Sequence, residues 1–492
     1  MTEIRFHGPR AGRRALLGGV VRLAALGALS AAGAAALAGC TPPRAAIGTV
    51  GTLAETPVPS PISPEPTFSP TVSPSPTTAP ERAPTATLAP RAPIGVASIR
   101  FATNHAAVEL PWFHKVLIGF SSVEPDVKVE HWNVATRYLE QLATWASAGT
   151  IPDVLFARSQ HAAAWAYRKW LVDLDDLVAR DKDEVRPDDF HSAQVPELKY
   201  QGRWLLLPHD YSVPVLYYRA DWLAEANLGR PASGWTRGDA LGLARKLIKR
   251  EGDQTTRWGL GWRPDAATLP GLWQGEGGSF IREDGPGVKI DTPENARVTQ
   301  WLADLAGSAG VSPKVSETPA VDVFASGRLA MEVSGSWAVA AYRGALGSKS
   351  VADIAVLPRG ASGHSPALST GSGWALGRDS KAREAAWALM KHFGSRDSIE
   401  TLVSLPLRNL PGRRSAVPLW LEGLRALEFP THPEVFTQTA EETYSLRPVP
   451  WWLDYQDAFA ELMPLVWSGR KSATEVLPDL ERRVNQAAAR FR

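Results

Sequence analysis

Tryptophan is the residue whose abundance most directly suggests chemistry, because the chain of 492 residues contains 19 of them. An indole ring offers a wide apolar face and one N–H donor, so it can stack against a flat ligand. Such a ligand also needs polar side chains that hydrogen-bond in fixed directions. Candidates follow two short apolar runs: Asn104 and His105 after the first, and Ser159, Gln160 and His161 after the second. The pattern predicts a ligand site where these runs end.

Enzymatic chemistry has less support in the residue pattern. A glycoside hydrolase, which also uses tryptophan-rich clefts, needs two carboxylates that face each other across the substrate. The paired acids of this chain are adjacent in sequence, which is more typical of helix starts and exposed surfaces: they are Asp175-Asp176, Asp188-Asp189 and Glu441-Glu442. Neither a nucleophile elbow nor a phosphate-binding loop is visible. We therefore expect no enzyme, with a tethered carbohydrate-active hydrolase as the alternative.

Metal and nucleic-acid binding are also disfavoured by composition. The ten histidines are scattered without HxxH or HExxH spacing, and residues 276–287 lack the regular acidic spacing of an EF-hand loop. A formal net charge of +2 gives no concentrated basic surface for nucleic acid. We expect no cofactor, no metal and no nucleic-acid partner.

The only cysteine, Cys40, ends an N-terminal segment that is typical of export signals. A basic start containing Arg13-Arg14 precedes an Ala/Gly-rich apolar run, which predicts a signal peptide over residues 1–39, with Sec and twin-arginine export both open. The sequence LAGC at 37–40 resembles the bacterial lipobox, in which the cysteine becomes lipidated. Residues 40–96 then predict a lipidated cysteine and a disordered Pro/Ser/Thr-rich tether. We expect an exported protein held by lipid at the outer face of the cell membrane.

From residue 97 onward, strand and helix patterns alternate. Strands are predicted at 98–104, 127–133 and 154–157, and helices at 111–122, 136–148 and 161–170. Three β-α units in succession predict a parallel sheet covered on both faces, in which ligands bind beyond the carboxyl ends of the strands. The segment 203–223 is apolar, broken by two prolines and a polar group around Asp210, and this predicts a crossing between domains.

Eight phrases in order resemble the sugar-type extracellular solute-binding proteins of ABC importers, of the maltose-binding-protein kind. Among them are SAGTIPDVLFA at 147–157, LLLPHDYSVPVLYYRADWLAEANL at 205–228, FASGRLAMEVSGSW at 324–337 and LSTGSGWAL at 368–376. The resemblance covers residues 97–492 and implies the α/β two-lobe periplasmic-binding-protein fold, with a sheet of parallel type in each lobe and a ligand cleft between them. It implies lobes at 97–210 with 366–405 and at 211–365 with 406–492, and a monomer that closes on its ligand and delivers it to the permease subunits.

The same resemblance implies further ligand-binding residues. Trp337 matches the family's GxW tryptophan, which stacks on sugar, and Trp273 is a second candidate. Either Trp451 or Trp452 is expected to face the cleft while the other packs. Further candidates are at the crossing and in a loop that resembles the family's lPxR: they are Asp210, Tyr211, Arg413 and Arg414. The identity of the solute stays open among monosaccharides, oligosaccharides, polyols and glycerol phosphate esters.

Overall fold

The computed structural model describes residues 6–7, 94–105, 109–262, 265–314, 320–347, 351–404 and 409–491. All of them belong to one of the two compact units into which the chain divides, Met1–Gly8 with Leu88–Arg492. The predicted lipidation site Cys40 and nearly all of the predicted signal peptide and tether lie outside the described residues. Two sheets with their own cores organise the described part, and we refer to each sheet with its flanking helices as a lobe.

The first lobe is built on a seven-stranded sheet. In spatial order its strands are β1 (Phe6–His7), β3 (Val127–Asn133), β2 (Ala97–Thr103), β4 (Val154–Arg158), β13 (Thr370–Leu376), β7 (Leu207–Ser212) and β14 (Leu410–Pro411). The first four pair in parallel, and β13, β7 and β14 pair antiparallel with their neighbours. The three predicted β-α units are confirmed as β2, β3 and β4. The sheet is mixed because β13, which enters from the second lobe, pairs antiparallel with β4 and β7, and β14 pairs antiparallel with β7. β1 lies within the predicted signal peptide.

The second lobe is built on a five-stranded sheet. In spatial order its strands are β12 (Asp353–Ala355), β8 (Pro214–Tyr218), β11 (Leu329–Gly335), β10 (Gln254–Trp262) and β9 (Lys249–Glu251). Only β10 and β11 pair in parallel among these described strands. A separate small hairpin joins β5 (Lys199–Tyr200) to β6 (Arg203–Trp204).

Helices cover both sheets. The α-helices that precede β7 and the two that directly follow β13 are α1 (Leu110–Val123), α2 (Tyr138–Ser147), α3 (Ser159–Tyr167), α4 (Asp175–Arg180), α5 (Lys182–Val185), α12 (Arg383–Phe393) and α13 (Arg396–Ser404). The remaining helices are α6 (Ala220–Glu225), α7 (Arg237–Leu247), α8 (Leu269–Gly275), α9 (Pro293–Ala306), α10 (Ala320–Ala325), α11 (Val339–Leu346), α14 (Val417–Ala426), α15 (Glu434–Glu442), α16 (Trp452–Trp467) and α17 (Ala473–Ala488).

Local sequence explains where several helices begin. Thr236 caps α7, because its hydroxyl accepts from the backbone N–H of Asp239 while the Asp239 carboxylate accepts from the N–H of Thr236. Ser472 and Glu475 form the same capping box at α17. Helix α3 begins at Ser159, directly after β4, and thus two residues earlier than the sequence predicts.

The chain passes from the first sheet to the second between β7 and β8. Every residue of both strands is buried, so the two prolines and the polar group of this segment lie inside the molecule. A second crossing returns the chain from β12 to β13. In the first lobe the core is aromatic where β13 meets α12, with Trp374 stacked on Phe393 at 4.3 Å between ring centroids. These buried crossings bring residues from both lobes to one junction.

Candidate functional site

A hollow at the carboxyl ends of β2 and β4 collects several polar side chains. It encloses about 680 Å³, including space open to solvent. Its lining includes Asn104, Arg137, Tyr138, Arg158, His161 and Trp165. Asn104 follows β2, and Arg158 ends β4. The hollow therefore lies where open α/β sheets bind ligands, and it contains two of the residues predicted from the sequence, Asn104 and His161.

A second pocket lies between the lobes; its walls nearly touch and leave a cavity of about 10 Å³, enough for about one water molecule. One wall consists of Ser159, Gln160, Glu197, Ser369 and Thr370, and the other of Leu446, Arg447, Pro448, Val449 and Trp452. We call it the interlobe pocket. The buried atoms Gln160 Oε1 and Trp452 Nε1 have no hydrogen-bond partner among the described residues. A bound solute with hydroxyl groups can satisfy both atoms, because a hydroxyl donates and accepts.

Helix α3 touches helix α16 of the second lobe beside this pocket. The Nε2 atom of His161 lies 3.1 Å from the Gln456 side-chain oxygen. Burial, with a smaller contribution from the Arg158 guanidinium, lowers the pKa of His161 to about 4. The imidazole is therefore neutral at physiological pH and donates through Nε2, because an amide oxygen can only accept. This bond links the two lobes without a charge.

Glu197 is a fully buried carboxylate in the wall of the interlobe pocket. Its oxygens accept from the Ser159 hydroxyl at 2.8 Å, the Ser369 hydroxyl at 2.6 Å and the Gly371 N–H at 2.8 Å. Burial raises the pKa of Glu197 to about 7, and the three hydrogen bonds act in the opposite direction. The carboxyl group therefore titrates near neutral pH.

A polar network joins the lobes at the first crossing. The Asp210 carboxylate accepts from the Ser372 hydroxyl and, at 2.8 Å, from the Asn409 amide. Ser336 of the second lobe donates to the side-chain oxygen of Asn409 at 2.8 Å, and Ser212 donates to the same oxygen at 3.4 Å. Asp210 is thus held by strands of the first sheet and connected to the end of β11 through Asn409.

Trp337 follows Ser336 and is 47 % exposed, which makes it an exception among the large aromatic side chains of the described residues. Its ring folds back over Gly335, where an added Cβ atom would lie 1.8 Å from the Trp337 Cζ3 atom. Only glycine leaves room for the ring in this position. Trp337 adjoins the network in sequence through Ser336, and it lines neither of the two hollows.

Comparison with protein families decides what this architecture belongs to. Residues 106–399 match the family model for bacterial extracellular solute-binding proteins. The chain belongs to this family. A search of curated protein sequences found no match.

Solved structures of other solute-binding proteins share the fold. The ABC substrate-binding protein Lmo0181 from Listeria monocytogenes, in complex with cycloalternan, superimposes with a TM-score of 0.72 at 20 % identity, covering 80 % of this chain and 99 % of that one. The GacH receptor of Streptomyces glaucescens, studied unliganded and with acarbose, gives 0.69 at 21 % identity, covering 80 % and 98 %. Maltose-bound MalE3 of T. maritima gives 0.67 at 22 % identity, covering 79 % and 99 %. These matches confirm the predicted two-lobe α/β fold.

In this solute-binding protein the predicted tryptophans occupy different environments. Trp273 is fully buried in the second lobe, and its Nε1 atom donates to the Thr299 hydroxyl at 2.9 Å. Trp451 is also buried and packs edge-on against Phe280. Trp452, equally buried, lines the interlobe pocket. In this conformation Trp452 is the member of the pair that borders the space between the lobes.

Other predicted ligand residues make contacts inside the first lobe. The His105 ring lies between Phe113 and Phe156, at 4.7 and 4.3 Å between ring centroids. Tyr211 is buried and stacks on His191 at 5.0 Å. Neither ring borders one of the two hollows described above.

The two predicted arginines hold the loop that follows α5. Arg413 donates from Nε to the Gly394 carbonyl at 2.6 Å and from a terminal nitrogen to the Val185 carbonyl at 2.9 Å. Its guanidinium lies over the Phe190 ring, 5.1 Å from the centroid. Arg414 donates to the Asp188 carbonyl. These contacts give both arginines a role in first-lobe packing.

Several site residues carry no sequence signal. Glu197 and Gln456 stand in stretches without a recognisable motif, and Asn409 begins the loop that resembles lPxR, in which only the arginines are candidates; the partners of all three in the fold place them at the junction. The glycine- and serine-rich run at 368–373 is the available sequence signal, since Ser369, Gly371 and Ser372 donate to the buried carboxylates Glu197 and Asp210.

Within the described part of the chain, no helix has the length and apolarity to cross a bilayer. No group of three or more His, Cys, Asp or Glu side chains that could hold a metal ion occurs among those residues. The family to which the chain belongs is one of exported binding proteins.

Proposed function

We propose that this solute-binding protein captures a carbohydrate between its lobes and delivers it to the permease of an ABC importer. The observation that carries the proposal is the interlobe pocket. Residues of both lobes line it, and two of them carry a buried polar atom without a partner among the described residues: an acceptor, Gln160 Oε1, and a donor, Trp452 Nε1. The walls must separate to admit a sugar, because the present cavity holds about one water molecule. A sugar hydroxyl matches such a pair, and the half-exposed Trp337 offers a face for the C–H side of a sugar ring.

Similar solved structures support the same solute class. They contain cycloalternan, maltose and acarbose, all of them carbohydrates. We propose that Trp337, Gln160, His161, Asn104 and Trp452 contact the sugar, with Ser159 and Asp210 holding neighbouring groups in place. Trp273, Trp451, His105, Tyr211, Arg413 and Arg414 remain weaker candidates because they are engaged within a lobe.

We further propose that the protein acts as a lipid-anchored monomer. LAGC at 37–40 supports lipidation of Cys40 after removal of residues 1–39, and the Pro/Ser/Thr-rich segment to residue 96 would serve as a tether. Anchoring would keep the binding domain near the permease. The domain boundaries predicted above, with lobes at 97–210 plus 366–405 and 211–365 plus 406–492, belong to this proposal, except that the end of β7 and β14 belong to the first sheet.

A thermal-shift screen of the purified protein tests the solute class. The panel contains maltotriose, cycloalternan, acarbose, maltose, several monosaccharides and, as a non-sugar arm, glycerol 3-phosphate. A carbohydrate at about 1,000 times its Kd should stabilise the fold by about 4 kcal/mol, since ligand binds only the folded chain. A shift with glycerol 3-phosphate alone would contradict a carbohydrate solute, and turnover of chromogenic glycosides would contradict a binding protein.

A further inference from the structure

Glu197 is a buried carboxylate with no direct place in the proposed sugar contacts. It lies in a single 3-10 turn, Val195–Leu198, and is 2 % exposed. Leaving a carboxylate in such a position is costly unless its oxygens are hydrogen-bonded. The donors that hydrogen-bond to it come from two segments that are distant in sequence, and this pattern suggests that the carboxylate connects them.

The two carboxylate oxygens join the start of α3 to the crossing strand β13. Oε2 accepts from the hydroxyl of Ser159, the first residue of α3, and from the backbone N–H of Gly371. Oε1 accepts from the hydroxyl of Ser369, just before β13. A single group thus fixes the turn that carries Gln160 and His161 relative to the strand that returns from the second lobe.

The same strand reaches the opposite wall of the interlobe pocket. The backbone N–H of Ser369 donates to the Tyr444 carbonyl at 3.0 Å, and Leu368 bridges in parallel to Tyr444. Tyr444 precedes the pocket-lining stretch that begins at Leu446. A displacement of residues 369–371 therefore shifts both walls of the pocket.

We propose that Glu197 is a positioning residue for ligand capture, which holds the first turn of α3 and residues 369–371 in one fixed arrangement. This proposal rests on the proposed function, because it assumes that the interlobe pocket receives the solute. The local geometry leaves little freedom: a Cβ atom on Gly371 would lie 2.5 Å from the Gln194 Nε2 atom and 3.1 Å from Glu197 Oε2.

Hydrogen exchange in the ligand-free protein tests the positioning role directly, because amide protection reports local opening. In Glu197→Ala, exchange should accelerate at least about tenfold in peptides covering both 159–167 and 368–376, since three hydrogen bonds are lost. Glu197→Gln keeps the shape and an acceptor for Gly371 and should restore protection to within about twofold. Ser369→Ala removes the hydroxyl that donates to Oε1, together with its longer bond to the Tyr444 carbonyl at 3.4 Å, and should accelerate exchange in both segments by a smaller factor.

Asp181→Asn is the matched control in the same lobe. Asp181 accepts from Trp387 and Lys391 of α12, away from both hollows. The Asp181→Asn substitution should accelerate hydrogen exchange in α12 and leave exchange in residues 159–167 and 368–376 unchanged. Unchanged exchange in either segment of Glu197→Ala, or uniform acceleration that includes α12, would overturn the positioning role.

Maltotriose binding, measured by isothermal titration calorimetry, is the second arm. Glu197→Ala should weaken binding at least about tenfold, and Glu197→Gln should stay within about threefold of wild type. Equal affinity of Glu197→Ala and wild type would overturn the proposal. If wild type itself does not bind maltotriose, that result counts against the choice of sugar, and the exchange arm decides the role of Glu197.

Discussion

At the scale of single residues, exposure separates the tryptophans that can meet a solute from those that hold the fold. Trp337 is nearly half exposed, whereas Trp273 is fully buried and donates to Thr299. Both were candidates in the sequence for the same stacking role. The two side chains are chemically identical but differ in exposure. Replacing Trp337 should therefore affect ligand binding, and replacing Trp273 should affect stability.

Trp337→Ala should weaken carbohydrate binding by about 1–3 kcal/mol, the range for loss of an aromatic anchor. It should change the free energy of unfolding of the ligand-free protein by no more than about 1 kcal/mol, because nearly half of the side chain is exposed to solvent. Trp273→Ala is the matched control and should cost about 3–5 kcal/mol of stability, because it opens a cavity in the second lobe. Calorimetry and urea unfolding measure the two effects. A large stability loss in Trp337→Ala would show that the ring is structural.

Glu197 should make stability depend on pH. Its pKa is about 7 in the folded chain against an ordinary value of 4.5, so between these pH values the folded state holds a proton that the unfolded state has released. The free energy of unfolding therefore falls as pH rises through this window, by about 3 kcal/mol in total. Tyr211, which interacts electrostatically with Glu197, has its own pKa raised by burial to about 12 and stays neutral in this window.

Glu197→Gln should remove this slope. Urea unfolding of both proteins at pH 5 and pH 8 measures it: wild type should lose stability relative to the variant on going to pH 8. Parallel stability curves for the two proteins would contradict the raised pKa.

At the scale of elements, the start of β13 leaves no room for a side chain at Gly371. Gly371 lies against Gln194, whose amide in turn donates to the Asp210 carbonyl at 2.6 Å. A side chain at this position must displace Gln194 and loosen the connection between β13 and β7. Glycine is required here by close approach and not by an unusual backbone angle.

Gly371→Ala should destabilise the protein by about 1–3 kcal/mol, the usual cost of overpacking a buried site. Gly344→Ala in the exposed part of α11 is the control, since an added Cβ meets nothing within 4 Å there. That change should stabilise by up to about 1 kcal/mol through helix propensity. Thermal unfolding of the two variants distinguishes these outcomes, and a neutral Gly371→Ala would show that Gln194 yields without cost.

At the scale of the whole molecule, two sheets with separate cores are joined by buried crossings, and the interlobe pocket lies between them. Such a design lets a ligand stabilise the arrangement in which both walls touch it. The contact of His161 with Gln456 shows that α3 and α16 already meet beside this pocket.

Cys40→Ser tests the proposed anchoring. Without the thiol, no lipid can be attached, and a protein with no helix able to span a bilayer among its described residues should lose its membrane association. Cell fractionation should move the variant from the membrane fraction to the soluble exported fraction. An unchanged distribution would contradict lipidation at Cys40. Trp337→Ala, which leaves the LAGC sequence intact, is the control and should stay with the membrane.

The first three β-α units, the crossing segment and the family resemblance can be predicted from the sequence. These features depend on local periodicity and on short phrases in a fixed order, which are recognisable without knowledge of the tertiary contacts. The mixed pairing of the first sheet was beyond this reach, because β13 and β7 are brought together across more than 150 residues of chain.

Which candidates lie near one another depends on the tertiary structure. It places Trp452 at the interlobe pocket, leaves Trp337 half exposed outside both hollows, engages Arg413 and Arg414 in packing contacts, and brings Glu197 to the pocket wall. The partners of Glu197 lie 38, 172 and 174 positions away, at Ser159, Ser369 and Gly371. Contacts over such distances leave no periodic trace in the sequence, because they arise only when the crossings bring separate segments to the junction between the lobes.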